Sequence, residues 1–588
     1  MDVVQIAPPV AFPASECQQT LMVHSFAWSY GKPFAASYQP PACSFNRVTL
    51  NFTVTSSGRQ FDRLAIMYLT DTEIWRTSTA EPTANGIIWT YIKDVSNYLA
   101  LWRHPQKLIF DLGNLIDSTY TGPFNTTLTA TFFTTPEQPA PANVIIPVSA
   151  RRSSQNQSSA FSVPEVPAVS SLTIPRNTKR AVFSISACGQ ADEEFWWSNA
   201  LSSLTGTYQN NTLLGFSPFR EVQLLIDGKL AGVVWPFPVI FTGGVVPGFW
   251  RPIVGIDAYD LREDEIDVTP WLGVLSDGKE HVFEILIRGI VDDGQGGAVL
   301  SSVGNYWVVT GKLFLWLDPP GAVTRGSVPV FNAPDPTLVV SSAITQKPDG
   351  GNDTFTQKAY AQRQFSLAAD ITTTSGRKRA TWSQSLSFTN DGWYGDDGNA
   401  QVNTQLTSGN EASGSGYTRR FSYPLYVESF VKTEKSSRNL SIDAVMDRIK
   451  DVTVVGRSAF PTGLESFDDG PFEGSRLRTR QNGSASYMSV PSQNRSSSWG
   501  GTEQTLSFWG LQAGSAADGA LEQNDQVDLY WRHALAINGS IVDDSDAGAN
   551  RVPYQIQTPI AGQNSGELRM EFPVFIGPVV PGRRPHIA

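Results

Sequence analysis

The chain of 588 residues contains only three cysteines and five histidines. Cys17 and Cys43 can form a disulfide in an oxidising compartment or stay reduced, while Cys188 would be an odd thiol that packs as a small hydrophobe. The histidines form no pair at metal-ligand spacing, and neither a Cys-x-x-Cys nor a His-Glu-x-x-His motif occurs. We therefore expect no metal site.

Charged residues are also scarce, at 17% of the chain, and acidic residues outnumber basic ones. The net charge is −11 and the pI is near 5.1. An acidic surface repels nucleic acid and anionic membranes, so neither is an expected partner. The length allows several hydrophobic cores, so folding needs no help from metals.

The longest uncharged stretch, residues 230–250, would be long enough to span a bilayer. Its three prolines and four glycines would break a lipid-exposed helix and leave backbone groups unpaired. We expect buried strands and loops that line a cleft, and no membrane insertion. Met1-Asp-Val-Val lacks the basic and apolar regions of a signal peptide, which indicates a mature or engineered start.

Asn-x-Ser/Thr sequons, the acceptors of N-linked glycans, are frequent. They begin at Asn51, Asn125, Asn156, Asn210, Asn352, Asn439, Asn482, Asn494 and Asn538. The alternation of apolar residues over residues 48–54 sends Asn51 to the solvated face of a strand. Together with the low charge, the sequons favour a secreted, extracellular protein.

No long segment keeps the 3.6-residue period of an amphipathic helix, whereas short or alternating apolar runs recur between turns. The clearest strand candidates are residues 47–55, 63–69, 128–133, 221–226, 281–290 and 307–317. Asp227 and Gly228 suit a two-residue hairpin turn, in which both residues need positive φ. The sequence therefore predicts an all-β protein.

Two changes in composition divide the chain. A Pro/Ser/Gln-rich stretch over residues 136–169 is typical of an exposed connector, and a polar Ser/Thr/Gly-rich region begins near residue 335. We expect one β-sandwich over residues 1–150, a second over residues 151–335 and a mostly β C-terminal region over residues 336–588.

Two basic clusters, Lys179-Arg180 and Arg377-Lys-Arg379, resemble sites that a processing protease cuts. Solvated loop charges are the simpler interpretation of both. If cleavage occurs, two chains would remain associated without a covalent link.

Two acidic residues stand among aromatics, one in each predicted sandwich. Asp62 precedes Arg63, and such a neighbour commonly means a structural ion pair. Glu193 and Glu194 repel each other beside Trp196 and its aromatic neighbours, so at least one should have a raised pKa and could donate a proton. Surface acids over an aromatic core are an equally reasonable interpretation. If the sandwiches meet, Asp62 and Glu194 can face each other across a cleft that activates water and holds a sugar.

A set of motifs resembles the acidic plant and fungal peptide:N-glycanases, the amidase A family. The motifs are Phe61-Asp-Arg63, residues 73–83, 86–89, 93–95, 116–122, 192–199 and 235–252. The resemblance is dense over residues 45–320 and thinner beyond. It implies two adjacent eight-stranded jelly-roll sandwiches with the site at their interface, and cleavage of the amide between asparagine and the first N-acetylglucosamine of an N-glycopeptide or glycoprotein. It implies no cofactor.

The resemblance also implies roles for individual residues. Asp62 would be the general base, or would position the attacking water, and Glu194 would orient the water or the sugar. Residues that would contact the substrate or hold these acids are Arg63, Glu81, Asp117, Tyr120, Glu193, Trp196, Trp250 and Arg251. Trp196 or Trp250 would stack on the first sugar. The family has a third acidic residue, and here either Asp117 or Glu81 would take its place, or no residue does.

Two other functions stay open on the sequence. A lectin-like protein also uses aromatic clefts in β-sandwiches, but without cleavage. A glycoside hydrolase also uses paired carboxylates.

Overall fold

In a computed structural model, the structure describes residues 1–13, 17–135, 140–467, 472–493, 495–512 and 526–548. Within these ranges the chain forms five antiparallel β-sheets and only short helices. Four sheets make two sandwiches in succession, and the fifth forms the C-terminal region. The predicted all-β class is confirmed.

The first sandwich contains eight strands. They are β1 (Cys17–Phe26), β2 (Phe34–Tyr38), β3 (Arg47–Ser56), β4 (Leu64–Leu69), β5 (Thr72–Ser78), β6 (Ile87–Asp94), β7 (Gln106–Leu112) and β8 (Phe124–Phe133). One sheet has the order β1-β8-β3-β6 and the other the order β2-β7-β4-β5. This is the arrangement of a jelly roll, in which β1 pairs with β8, β3 with β6, β2 with β7 and β4 with β5. Successive side chains of β3 point to opposite faces of the sheet. Val48, Leu50, Phe52 and Val54 all point into the core, whereas Asn51 lies on the opposite face and is half-buried.

The second sandwich repeats the same order. Its strands are β9 (Val144–Val148), β10 (Phe161–Val163), β11 (Ala168–Thr173), β12 (Thr178–Gly189), β13 (Glu221–Ile226), β14 (Lys229–Val234), β15 (Asp264–Asp267), β16 (Glu280–Asp292), β17 (Ala298–Ser302) and β18 (Trp307–Leu317). The sheets run β10-β18-β12-β15 and β11-β16-β13-β14, with β9 beside β18 and β17 beside β16. The implied pair of jelly rolls is therefore present.

The C-terminal region forms one sheet, here called the third sheet. Its strands are β19 (Arg325–Gly326), β20 (Val330–Asn332), β21 (Thr337–Gln346), β22 (Asn352–Thr373), β23 (Gly376–Gly395), β24 (Ala400–Ser413), β25 (Thr418–Thr433), β26 (Leu440–Val455), β27 (Gly474–Val490), β28 (Arg495–Leu511), β29 (Gln526–Ile537) and β30 (Ser540–Ala547). From β22 to β30 each strand pairs with the next along the chain, and β19, β20 and β21 pair with β22.

Helices are short. The α-helices are α1 (Leu99–Trp102) and α2 (Leu272–Leu275), and the 3₁₀ turns are Ser96–Tyr98, Ser153–Gln155, Ala191–Glu193, Trp196–Ser198, Ser202–Leu204, Pro247–Phe249, Thr269–Trp271, Asp396–Gly398, Leu464–Ser466 and Pro491–Gln493. Among the described residues, none of these helices is long and apolar enough to cross a membrane.

The predicted strands are confirmed, since each coincides with β3, β4, β13 or β18 or lies within β8 or β16. The Asp227-Gly228 turn is also confirmed, with φ values of 49° and 74° between β13 and β14. The connector predicted over residues 136–169 is wrong where it contains β9, β10 and the start of β11. Because β9 pairs with β18, it belongs to the second sandwich, and the domain division itself stays a prediction.

The predicted Cys17–Cys43 disulfide is present and ties the start of β1 to the segment before β3. Cys188, at the end of β12, is a buried free thiol. Burial raises its pKa, which suits the predicted role as a packing residue.

Strand β5 of the first sandwich provides the main polar contact with the second. Its Glu73 and Arg76 form a buried, bidentate ion pair with Nε–Oε1 and Nη2–Oε2 distances of 2.9 and 2.8 Å. Glu73 also accepts a hydrogen bond of 2.7 Å from the hydroxyl of Thr310 on β18. Arg76 Nη1 donates to the carbonyl of Val308, at 2.7 Å, and lies 3.3 Å from Cys188 Sγ. This ion pair is thus one of the polar contacts that fix the two sandwiches against each other.

The third sheet holds the second sandwich through buried polar side chains. Gln384 Nε2 donates to the carbonyl of Val233 and its Oε1 accepts from the same residue's N–H, at 2.7 and 2.9 Å. Arg363 forms a buried bidentate ion pair with Glu221, with two contacts of 2.7 Å, and Trp235 Nε1 also donates to Glu221. These side chains satisfy backbone groups and charges that burial would otherwise leave unpaired.

The Arg363→Met variant tests this attachment. Glu221 would be left buried without its cation, and we expect a loss of about 3–5 kcal/mol from the free energy that holds the third sheet in place. The measurement is the urea midpoint of unfolding. Arg377→Met, which removes an exposed ion pair to Asp370 on the same hairpin, is the matched control and should leave the midpoint unchanged. Equal changes of the urea midpoint in the two variants would contradict the proposed attachment.

Candidate active site

Asp62 lies in the loop between β3 and β4 and is buried, with 5% of its surface exposed. The next residue, Arg63, is held by Thr79 just after β5. Its N–H donates to Thr79 Oγ1 at 2.8 Å, and the N–H of Thr79 donates to the carbonyl of Arg63 at 2.9 Å. The carbonyl of Thr79 accepts a hydrogen bond from the hydroxyl of Thr242 in the second sandwich. The Asp62 loop is therefore anchored at the junction of the sandwiches.

Two contacts orient the side chain of Arg63. Its Nη2 donates to Gln60 Oε1 at 2.6 Å, and its guanidinium lies over the ring of Tyr30, 5.6 Å from the centroid. Arg63 Nε is buried and has no hydrogen-bond partner within the described part of the chain.

Glu194 follows the 3₁₀ turn after β12 and is also buried. Its neighbour Glu193 is occupied on both oxygens: Arg220 donates through Nε and Nη2 at 2.5 and 2.7 Å, and Trp307 Nε1 donates at 2.8 Å. Glu193 therefore stabilises the second sandwich, and its contact with substrate stays a prediction. The two adjacent acids thus have different environments, which the local sequence does not reveal.

Two tyrosines lie beside the segments that carry Asp62 and Glu194. Tyr30 lies in the turn between β1 and β2, and Tyr306 lies in the turn between β17 and β18. Burial raises the pKa of Tyr306, and the neighbouring Cys188, Tyr30 and Glu194 raise it further. Tyr30 contacts Arg63, and the carbonyl of Tyr306 accepts a hydrogen bond of 3.1 Å from the N–H of Gln190, four residues before Glu194.

Arg251 also joins the sandwiches. Its Nη2 donates to the carbonyl of Glu81 at 2.8 Å and lies 3.9 Å from the carboxylate of the same residue. Burial lowers the pKa of Arg251 to about 10, although Glu81 and Tyr487 of the third sheet act in the opposite direction. All three parts of the fold therefore meet at Arg251.

Tyr120 and Asp117 lie in the loop between β7 and β8. The exposed carboxylate of Asp117 accepts hydrogen bonds from the N–H groups of Thr119 and Tyr120, at 2.6 and 2.7 Å. The ring of Tyr120 packs on Phe61, with 5.3 Å between centroids. Asp117 thus shapes the turn that places Tyr120 against the residue before Asp62, and its role as a third acid stays a prediction.

Trp196 and Trp250 lie in the core of the second sandwich, with 5% and 4% of their surfaces exposed. Trp196 packs against Trp307, and Trp250 lies under the guanidinium of Arg251. This burial leaves little of either ring exposed, and stacking on a sugar stays a prediction. The sequence offers no local signal for the burial, because buried and exposed tryptophans occur in similar contexts.

A cavity of about 230 Å³ lies where the two sandwiches and the third sheet meet. Its walls include Glu194 and Trp196 but not Asp62, so it does not by itself define the predicted cleft. Many of its acidic residues are engaged in ion pairs, such as Asp260 with Lys93 and Glu263 with Lys312. Burial alone would raise the pKa of Glu263, but Lys312, Lys93 and a hydrogen bond from Tyr98 lower it to about 2.

This part of the structure defines the class of the protein: tandem jelly-roll sandwiches with buried carboxylates at their junction. A family model described as peptide N-acetyl-beta-D-glucosaminyl asparaginase amidase A matches residues 6–333, and one for the PNGase A C-terminal domain matches residues 354–425. The chain belongs to this family of amidohydrolases.

The chain also resembles individual proteins and solved structures, to different degrees. Peptide-N4-(N-acetyl-beta-glucosaminyl)asparagine amidase A of Prunus dulcis is 33% identical over 430 residues, which cover 68% of this chain and 71% of the relative. Among solved structures, PNGase F from Flavobacterium meningosepticum is 11% identical, with a TM-score of 0.34 over 52% of this chain and 97% of that one. PNGF-II is 12% identical, with a TM-score of 0.33 over 53% and 64%.

The Glu263→Gln variant tests the electrostatics of the junction. A carboxylate whose folded pKa is lowered to about 2 stabilises the fold above its ordinary pKa, and this contribution disappears as the pH falls towards 2. At neutral pH we expect the free energy of unfolding of the variant to be roughly 3 kcal/mol lower than that of the wild type. This difference should shrink below pH ~4.

The thermal midpoints of wild type and variant, measured from neutral to acidic pH, check this expectation. Glu280→Gln, at an exposed position on β16, serves as the control. A difference between Glu263→Gln and wild type that stays constant across the pH range would contradict the assigned ion pair.

Proposed function

We propose that the chain hydrolyses the amide bond between asparagine and the first N-acetylglucosamine of N-glycopeptides and glycoproteins, and that Asp62 and Glu194 carry the reaction. Family membership and the printed name of the Prunus dulcis relative support the activity. The observation that carries the choice of residues is that both acids are buried near the junction: Asp62 precedes Arg63, which Thr79 holds beside Thr242 of the second sandwich, and Glu194 lines the cavity where the sandwiches meet.

In the proposed reaction, Asp62 accepts a proton from a water molecule whose oxygen attacks the amide carbon. As the carbon–nitrogen bond breaks, the proton held by Asp62 passes to the nitrogen, asparagine becomes aspartate, and the nitrogen leaves with the sugar as a glycosylamine. A second water then releases ammonia from the glycosylamine. Glu194 orients the first water or the sugar, and Arg63 Nε supplies a hydrogen bond to the oxygen on which negative charge develops.

Arg251 and Glu81 act as positioning residues in this proposal. Their hydrogen bond joins the loop after β5 to the loop before β15, and Thr79 at the start of the first loop holds Arg63. Movement of this contact would therefore displace Asp62. Tyr120 acts similarly through its packing on Phe61.

Secretion is part of the proposal and is supported by the disulfide and the sequons. Asn125, Asn156, Asn210 and Asn538 are exposed, whereas Asn51, Asn352, Asn439 and Asn482 are half-buried. Asn494 lies outside the described residues. The amide of Asn352 donates to the carbonyl of Thr207 at 2.7 Å, so glycosylation there would disrupt a hydrogen bond.

The proposal also includes association of two chains after processing. Arg377, Lys378 and Arg379 are exposed at the tight hairpin between β22 and β23, where a protease could bind. Cleavage there would leave both fragments paired along these strands. Arg180, in contrast, lies within β12 and packs on Trp316, with 4.2 Å from its guanidinium to the ring.

The Asp62→Asn variant tests the catalytic assignment. Loss of the proton acceptor should lower the rate of glycan release by about 10²- to 10⁴-fold, while glycopeptide binding is retained. Mass spectrometry of the peptide should show a gain of about one mass unit at asparagine with the wild type, because amide nitrogen is replaced by oxygen. Asp391→Asn, an exposed position on β23, is the matched control and should keep full activity.

Two results would refute this function. An N-acetylglucosamine left on asparagine would identify a glycoside hydrolase. Binding without any turnover by the wild type would identify a lectin-like protein.

A further inference from the structure

Residues 1–6, here called the strap, lie where the two sandwiches and the third sheet meet. The apolar side chains of the strap are buried. Val3 packs in the core of the first sandwich, whereas Val4 and Ile6 pack in a separate cluster with Phe508 of the third sheet. The strap therefore contacts different parts of the fold through neighbouring residues.

One edge of the strap pairs with β6, the outer strand of its sheet in the first sandwich. Asp2 forms a parallel bridge with Ile88, the second residue of β6. The N–H of Val3 donates to the carbonyl of Ile88 at 2.9 Å, and the N–H of Ile88 donates to the carbonyl of Met1 at 3.0 Å. The loop after β5, which carries Glu81, ends where β6 begins, so the strap holds the chain at the end of this loop.

The other edge of the strap pairs with the loop before β15. Val4 forms a parallel bridge with Ile253. The N–H of Val4 donates to the carbonyl of Pro252, and the N–H of Val254 donates to the carbonyl of Val4, both at 2.9 Å. Pro252 directly follows Arg251 in the sequence. The strap therefore also holds the second loop beside its arginine.

The buried side chain of Gln5 adds a third attachment. Its Oε1 accepts a hydrogen bond of 2.5 Å from the N–H of Tyr259 in the second sandwich. The carbonyl of Tyr259 accepts a hydrogen bond of 3.1 Å from Trp75 Nε1 on β5. The ring of Tyr259 stacks on Trp89 of β6, with 5.7 Å between the centroids. Gln5 thus contributes to holding the second sandwich against β5 and β6.

We propose that the strap is a positioning element of the active site, which fixes the loop after β5 against the loop before β15. The inference rests on the proposed function. Arg251 Nη2 donates to the carbonyl of Glu81 from one loop to the other, and this bond needs a constant distance between the two backbones. Val3 and Val4 are adjacent and bind one loop end each, so a shift of either loop would break a bond of the strap.

The effect of the strap reaches Asp62 through Thr79. Thr79 begins the loop after β5 and holds Arg63, the residue after Asp62. Apolar contacts are not directional, whereas backbone hydrogen bonds have a defined length and angle. The buried side chains of the strap therefore contribute stability, and its backbone bonds set the position of the loops. A misplacement of about 1 Å at a reacting group can lower the rate by about 100-fold.

The Val4→Pro variant tests this inference, with each variant assayed well below its midpoint of unfolding. Proline has no N–H, so the bond to the carbonyl of Pro252 is lost. We expect kcat for glycan release to fall by about tenfold, with KM within about twofold of the wild type. Val4→Ala keeps both backbone bonds, and its kcat should stay within about threefold. Val10→Pro is the matched control and should match the wild type, because among the described residues the N–H of Val10 donates to neither loop.

A double variant separates positioning from stability. If the strap acts through Arg251, Val4→Pro should change kcat by less than about twofold in a chain that already carries Arg251→Lys. Gln5→Leu removes one acceptor, keeps the backbone bonds and serves as a milder variant if Val4→Pro does not fold; it should lower kcat by about threefold. Losses of kcat that multiply in the double variant, or a lower midpoint of unfolding with unchanged kcat, would overturn the inference.

Hydrogen exchange separates this inference from the proposed function. The amides of residues 79–88 and 250–256 should exchange faster in Val4→Pro than in the wild type or in Val10→Pro, whether or not the wild type cleaves glycopeptides. Unchanged exchange in either loop would refute the role of the strap. Absence of glycan release by the wild type would refute the proposed function alone.

Discussion

The buried ion pair between Glu73 and Arg76 is the interaction on which the rest of the structure depends. It lies on an edge strand of the first sandwich, and both charges are completed by groups of the second sandwich, Thr310 and the carbonyl of Val308. A buried charge that loses a partner is costly, so the two sandwiches cannot separate or slide without a large loss of free energy. The proposed site needs this rigidity, because its two acids come from different sandwiches and their relative position is set only by the junction.

The third sheet supports the same junction from the opposite side. Gln481 Nε2 donates to the carbonyl of Phe249 at 2.7 Å, and Gln504 Nε2 donates to the carbonyl of Val254 at 2.6 Å. These two bonds hold the loop that carries Arg251, which in turn contacts Glu81 of the first sandwich. The amide side chains satisfy carbonyl groups of this loop, which burial would otherwise leave unpaired. The C-terminal region thus supports the proposed site without supplying its acids.

Much of the fold could be predicted from the sequence, because alternation such as that of Val48, Leu50 and Phe52 directly reflects which face of a strand is buried. The strands over residues 144–173 were not predictable, since proline, serine and glutamine dominate their surroundings. For the site, the motifs identified Asp62 and Glu194 as candidates, but local sequence could not separate Glu194 from Glu193, whose partner Arg220 lies 27 residues away. The burial of Trp250 and the exposure of Tyr30 likewise follow from packing between distant segments. The sequence signal for Tyr30 is the run Trp28-Ser-Tyr-Gly31, because its glycine indicates a turn and the turn carries two aromatic side chains.

The central claim is that Asp62 and Glu194 act on one amide at the junction of the sandwiches. A crystal structure of the Asp62→Asn variant with a bound glycopeptide tests it most directly. The account predicts that the asparagine–sugar amide lies between Glu194 and the substituted side chain, within about 3 Å of each or of a shared water. A glycopeptide bound elsewhere, or an amide that only one of the two side chains can reach, would contradict it.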